Sequence, residues 1–160
     1  MNGKILGDPH NFGKRVRIHE TGYILKPRTI FLEWLFLGQE SPLRQLFKNI
    51  SASESCMNPL DSFPLLDFSF LSKDLHKGGL VEKLIVRSFI ENEIPIGWFE
   101  IIGNTIGAIS WFGLSDLHSA NMIYGINNTG NLVFSPIDIE GVLDIFTLPS
   151  QTHLIPSRNI

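Results

Sequence analysis

Two short stretches of this chain carry the side chains for metal-assisted phosphoryl transfer. The first is Ser115-Asp116-Leu117-His118-Ser119-Ala120-Asn121 and the second is Asp138-Ile139-Glu140. A hard Mg²⁺ ion prefers carboxylate and amide oxygens and usually keeps substrate phosphates among its ligands. Asn121 and Asp138 fit that role, and Glu140, two residues on along an extended chain, is a second candidate ligand. Asp116 suits a group that orients a hydroxyl or accepts its proton. His118 would support the loop or meet the transferred phosphate. Far upstream, Lys26 ends a strand-like run and is followed by Pro27 and Arg28. Together these residues read as a reduced kinase-type phosphotransfer site.

The elements that must position them follow from periodicity. Val16, Arg17, Ile18 and His19 alternate, Glu20-Thr21-Gly22 is a turn, and Tyr23 to Lys26 returns, so residues 14–26 are predicted to form a hairpin that Pro27 ends. Thr29 is a candidate cap for a helix carrying Phe31, Leu32, Leu35 and Phe36. Ser41-Pro42 opens a second helix, and residues 49–62 read as loop. A β-like run covers 80–89, a turn 91–93 and a strand 94–102, followed by a short buried helix over 105–114. Asn127-Asn128-Thr129-Gly130 between two apolar runs predicts a hairpin whose strands bring Asn121 and Asp138 together. Residues 142–146 read as a helix, and 148–160 as loop. The opening Gly7-Asp8-Pro9-His10-Asn11-Phe12-Gly13 reads as a turn-rich loop without the register of a phosphate-binding glycine motif. Its backbone amides, with His10, Lys26 or Arg28, would hold the phosphates.

Composition narrows the classes. The 160 residues are 43% hydrophobic with 12 Phe, enough for a core in a single domain. A net charge of −3 leaves no basic footprint for nucleic acid. No stretch makes a convincing membrane span. The single cysteine, Cys56, cannot form an intrachain disulfide and reads as a buried or loop thiol, so a reducing compartment is expected.

Taken in order, Gly7 to Asn11, the Tyr23 to Arg28 run, Gly97-Trp98-Phe99-Glu100, Ser115 to Asn121 and Asp138-Ile139-Glu140 resemble the motifs of the dehydratase domain of class II lanthipeptide synthetases. Thr152-His153-Leu154-Ile155-Pro156 looks like a degraded copy of a later motif of that family. The resemblance implies a minimal α+β kinase-like fold in one domain, with a small N-lobe sheet over about 1–102 and a reduced C-lobe over about 103–160. It implies ATP and Mg²⁺ as cofactors and a peptide or protein with Ser and Thr hydroxyls as substrate.

Carried over, Lys26 pairs the nucleotide phosphates. Asp116, His118 and Asn121 form the catalytic loop, and Asn121, Asp138 and Glu140 the metal site. Asp8 and His10 match positions that the family associates with the elimination step and the phosphate region, and Arg28, beside Lys26, is a further ATP-binding candidate. A strand through Glu100 would form the hinge beside the adenine, which puts Glu100 among the ATP-binding positions. Glu33 is either the helix partner of Lys26 or a surface position on an amphipathic helix, and Glu82, Glu91 and Glu93 compete for the role. One cysteine cannot build the family's two-Cys-plus-His zinc site, so ring formation is not expected. No counterpart was found for the later Arg and Thr of the elimination step. Phosphorylation is the surviving expectation. A non-catalytic nucleotide-binding or interaction module and a metal-dependent phosphohydrolase are the alternatives. The expected location is the bacterial cytoplasm, or a host cell if the protein is an effector.

Overall fold

The computed structural model describes residues 5–10, 14–54, 58–74, 77–88 and 94–143. Cys56, His76, Glu91, Glu93 and the 152–156 motif lie outside them, as does all of the expected 142–146 helix beyond Leu143. The described residues form a mixed α+β fold, with two antiparallel sheets and three α-helices among them.

The first sheet holds β1 (Ile5–His10), β2 (Lys14–Ile18), β3 (Ile24–Lys26), β4 (Phe68–Phe70) and β5 (Gly79–Val81), in the spatial order β1-β2-β3-β5-β4. The β2–β3 hairpin forms as its alternation predicts. Gly22, at φ 85°, makes the tight return, and its N–H donates to His19 O at 2.9 Å. The opening segment differs from expectation: residues 5–10 are a strand, with Leu6 opposite Val16 and a register irregularity between Leu6 and Pro9. Pro9 is tolerated there because β1 is an edge strand. Gly79 pairs with Lys26, and a Cβ on it would lie 2.7 Å from the Ser69 backbone oxygen of the neighbouring strand, too close for any larger residue.

That helix, α1 (Phe31–Leu37), begins one residue later than a Thr29 cap implies. Ile30 takes the cap position, while the Thr29 hydroxyl accepts the Phe31 N–H at 3.3 Å. The second, α2 (Pro42–Glu54), runs through residues 49–54, which read as loop because of their Ser and Asn content. Its Arg44 is buried and donates to the carbonyls of Phe36, Leu60, Phe63 and Pro64 at 2.7–3.1 Å. Burial pushes this guanidinium down to about 10. Arg44 thereby satisfies the backbone of the irregular 58–66 segment, which delivers Leu66 to the core.

The strand expected over 94–102 does not form. Residues 98–112 are one helix, α3 (Trp98–Phe112), opened by Gly97 at φ 84° and closed by Gly113 at φ 57°. Ile94, Ile96 and Trp98 mimic period two across Pro95 and Gly97. The residues buried beyond them, Thr105, Ala108 and Ile109, recur at helical spacing. The second sheet holds β6 (Val86–Arg87), β7 (Met122–Asn127) and β8 (Leu132–Pro136), with a 3₁₀ turn, Ser119–Asn121, before β7. The predicted 127–130 turn closes it: Asn127 Oδ1 accepts the N–H groups of Thr129 and Asn131. β6 already belongs to this second sheet, and residues 82–85 link it to β5. Val142 and Leu143 are not helical; Leu143 has φ 57°.

One core spans both parts. Ile30, Phe36, Leu37, Leu60, Phe63, Leu66 and Val81 pack with Ala108, Ile109, Leu114, Leu117 and Ile139. The Phe36 and Phe112 rings meet edge to face at 5.0 Å, and Thr105 Oγ1 donates to Phe134 O at 2.7 Å, fixing α3 on β8. Among the described residues no helix is long and apolar enough to cross a membrane.

Candidate functional site

The site starts from Lys26, at the end of β3. It shares a face with Ile24, two residues back along the strand. Its ammonium is buried and uses all three protons. It donates to Glu33 Oε2 at 2.8 Å, to Asp138 Oδ1 at 2.8 Å and to the Ile137 carbonyl at 3.1 Å. This settles the position of Glu33, which is 0% exposed inside α1 and is the partner of Lys26, not a surface residue. Its other oxygen, Oε1, takes Arg28 Nη2 at 2.7 Å. Burial pushes Lys26 below its ordinary value and Glu33 above its own, and in each case the opposite charge beside it pulls the other way.

Asp138 and Glu140 follow β8. Ile139 between them is 1% exposed and belongs to the core, so the chain is planted there and both carboxylates turn outward from it. Asp138 Oδ1 also contacts Arg28 Nη2. Arg28 Nε lies 3.1 Å from Glu140 Oε1, but off the line of a hydrogen bond, and this buried N–H has no hydrogen-bond partner among the described residues. Arg28 Nη1 donates to the Thr29 carbonyl.

The loop before β7 is built in the same way. Leu117 is 1% exposed and anchors it, while Asp116 and His118 on either side are exposed. Asp116 has φ 59°, a left-handed conformation that Asp tolerates and that concentrates at functional loops. Asn121 is buried. Its Nδ2 donates to the Asp116 carbonyl at 2.9 Å, and its own carbonyl accepts the Ile137 N–H at 2.9 Å. Asn121 therefore ties the loop to the segment carrying Asp138, as the hairpin reading requires. His118 Nδ1 accepts the Ala120 N–H at 3.2 Å, which in neutral imidazole leaves the proton on Nε2.

These residues surround one cavity of about 450 Å³ between the two sheets. Leu6, Val16, Ile24 and Val81 line it from the first sheet, and Ile123 and Ile137 from the other part. Lys26, Asp116, His118, Asn121, Asp138 and Glu140 all reach it. The linker residues Glu82 and Leu84 close one side. Sequence reasoning missed this apolar lining and the linker. The direct pairing of Leu6 with Val16 and of Ile24 with Val81 was the available signal, but it needed the strand order. A larger cavity of about 800 Å³ opens beyond the linker among Arg44, Asp61, Lys83 and Asn131, away from these groups.

Glu100 is the residue the structure removes from the site. It is exposed in the first turn of α3 and lines a separate hollow with Asn58, Asp61, Gly97 and Asn104. The expected strand is a helix, so Glu100 sits beside no hinge, and Glu82 and Leu84 stand at the cavity wall instead. Asp8 and His10 lie on β1 rather than in a loop, and their side chains lie outside the described residues.

The donor set suits a hard divalent cation held partly by phosphate. Asp138, Glu140 and the Asn121 amide offer oxygens, and the Asn121 oxygen is not used in any hydrogen bond with a described residue. Among the described residues no three His, Cys, Asp or Glu side chains converge into a cage, as a resident zinc site would require. Compared with protein-family models, with curated proteins and with solved structures, the chain shows no match.

Proposed function

We propose that this protein is an ATP- and Mg²⁺-dependent phosphotransferase with a minimal kinase-like fold. It would act on Ser or Thr hydroxyls of a peptide or protein in the cytoplasm of a bacterium or, as an effector, of a host cell. The chemistry is that of the phosphorylation step of lanthipeptide dehydratases. One observation carries the reading: Lys26 Nζ is clasped at 2.8 Å by Glu33 from α1 and at 2.8 Å by Asp138 from the segment after β8, at the wall of a partly apolar cavity. A structural ion pair needs neither the cavity nor the free carboxylate of Asp116 on its rim.

In this reading the apolar walls take the base, and Lys26 and Arg28 turn to the phosphates. Asn121 and Asp138, with Glu140 beside them, would hold Mg²⁺, which would supply charge neutralisation to the phosphate oxygens. Asp116 orients the acceptor hydroxyl and takes its proton as the new O–P bond forms and the γ-phosphorus leaves the β-phosphate oxygen. Most of the rate would come from positioning and charge neutralisation.

Labelled phosphate from ATP should appear on a protein or peptide acceptor only with Mg²⁺. Free phosphate alone would indicate a phosphohydrolase. ATP with Mg²⁺ should also raise thermal stability, by about 2.7 kcal/mol at a hundredfold excess over Kd. No shift and no transfer would sink the proposal. A shift without transfer would favour a nucleotide-binding module, a second reading motivated by the Arg28–Asp138 contact.

A further inference from the structure

Arg28, expected beside the phosphates, is bound among the carboxylates of the cluster. Its guanidinium lies where two candidate cation ligands meet, with Nη2 on Asp138 Oδ1 and Nε 3.1 Å from Glu140 Oε1. Glu33 Oε1 holds the same Nη2 at 2.7 Å, and the Thr29 carbonyl holds Nη1 at 3.0 Å. A planar fork that reaches two carboxylates does electrostatically what a cation between them would do. The formal charges agree. Lys26 and Arg28 face Glu33, Asp138 and Glu140, two positive against three negative, a net of −1. A divalent cation added alone would turn the cluster to +1 beside two fixed cations.

We propose that Arg28 is a tethered stand-in for the divalent cation. It neutralises Asp138 and Glu140 in the ligand-free protein, and it must swing away before a cation can use them. Its unsatisfied Nε–H gives it a reason to leave once an anionic group arrives. Cation and nucleotide then enter as a coupled pair, because the phosphates give Arg28 a new partner. The inference rests on the phosphotransferase reading only for the identity of that anion. The competition between Arg28 and the cation is a property of the protein alone.

The test uses Mn²⁺ as the probe, without nucleotide, on the full chain. Free Mn²⁺ is followed by electron paramagnetic resonance during titration. Arg28→Met keeps the length of the side chain and removes its charge. It should bind Mn²⁺ about tenfold more tightly than the parent protein, within the usual range of coupling between sites. The gain should disappear in the Arg28→Met/Asp138→Asn double variant. If the Met variant does not fold by circular dichroism, Arg28→Gln, which keeps a donor for Glu33, should show the same gain. Unchanged Mn²⁺ affinity in a folded Arg28 variant overturns the proposal, as does a gain that survives Asp138→Asn. Failure of the ATP thermal shift is a separate result: it removes the phosphotransferase reading and leaves the Mn²⁺ outcome standing.

Discussion

Asp116-Leu117-His118 and Asp138-Ile139-Glu140 are built alike and held differently. Each sets an apolar residue, 1% exposed, into the common core and turns a polar residue outward on both sides. Yet Asp138 and Glu140 are gripped by Lys26 and Arg28, while Asp116 and His118 face the cavity with no ion pair among the described residues. Anchoring by the core therefore does not decide whether a carboxylate is free. That depends on which strand end lies across from it. The end of β3 and the residues just after it bring two cations to the second triplet, and among the described residues no ion pair holds the first. A bound carboxylate suits a group that balances charge, and an unpaired one suits a group that must meet an incoming hydroxyl.

The largest effect expected from breaking this contrast is on turnover. Asp138→Ala should lower Mg²⁺-dependent phosphate transfer by about 10³-fold or more. It should also reduce stability by about 1–3 kcal/mol, because charge-assisted bonds are lost beside two buried cations. Asp116→Asn should lower kcat by about 10²- to 10⁴-fold, as removal of a general base does. Its urea-unfolding free energy should stay within about 0.5 kcal/mol of the parent, the range for surface changes. If both variants lose stability equally, the two carboxylates do not differ in the way described.

The shared anchor can be tested next. Leu117→Ala and Ile139→Ala should each destabilise by about 2–5 kcal/mol in urea titrations, because both empty a filled core position. A small loss at either would mean that its triplet is not planted in the core. Lys26→Ala sharpens the comparison on the ligand side. Calorimetry should show weaker ATP binding, and an unchanged affinity would refute a phosphate role for Lys26.

The smallest effect is a pH dependence. Burial raises Glu33 above its ordinary 4.5, so over the window above 4.5 the folded protein holds this proton more tightly than the unfolded chain does. The Glu33 contribution to stability should therefore fall as pH rises through that window. Unfolding curves of the parent and of Glu33→Gln should differ by a component that declines with rising pH. A component that rises instead would show that the opposite charges of Lys26 and Arg28 outweigh burial.

How much of this was legible in the sequence varied with the range of the signal. The β2–β3 hairpin, the start of α2 and the β7–β8 hairpin follow from alternation, a proline and turn residues close together in the chain. The strand expected at 94–102 failed because two periodicities overlap around Gly97, and burial of Thr105, Ala108 and Ile109 selected the helix. Residue types proposed Lys26, Arg28, Asp116, His118, Asn121, Asp138 and Glu140, and all of them except Arg28 line one cavity, with Arg28 paired to its acidic wall. Glu100, chosen on the same grounds, does not belong, because its element was misread.

What the sequence by itself determined is local: chain reversals, amphipathic faces and a small set of chemically able side chains. Tertiary structure alone decided that Glu33, and not Glu82, answers Lys26, and that Arg28 rather than solvent meets Asp138. The reason is distance along the chain. Lys26 and Asp138 are 112 residues apart, and only a core shared by α1 and Ile139, with β3 paired to β5 beside it, brings their charges together.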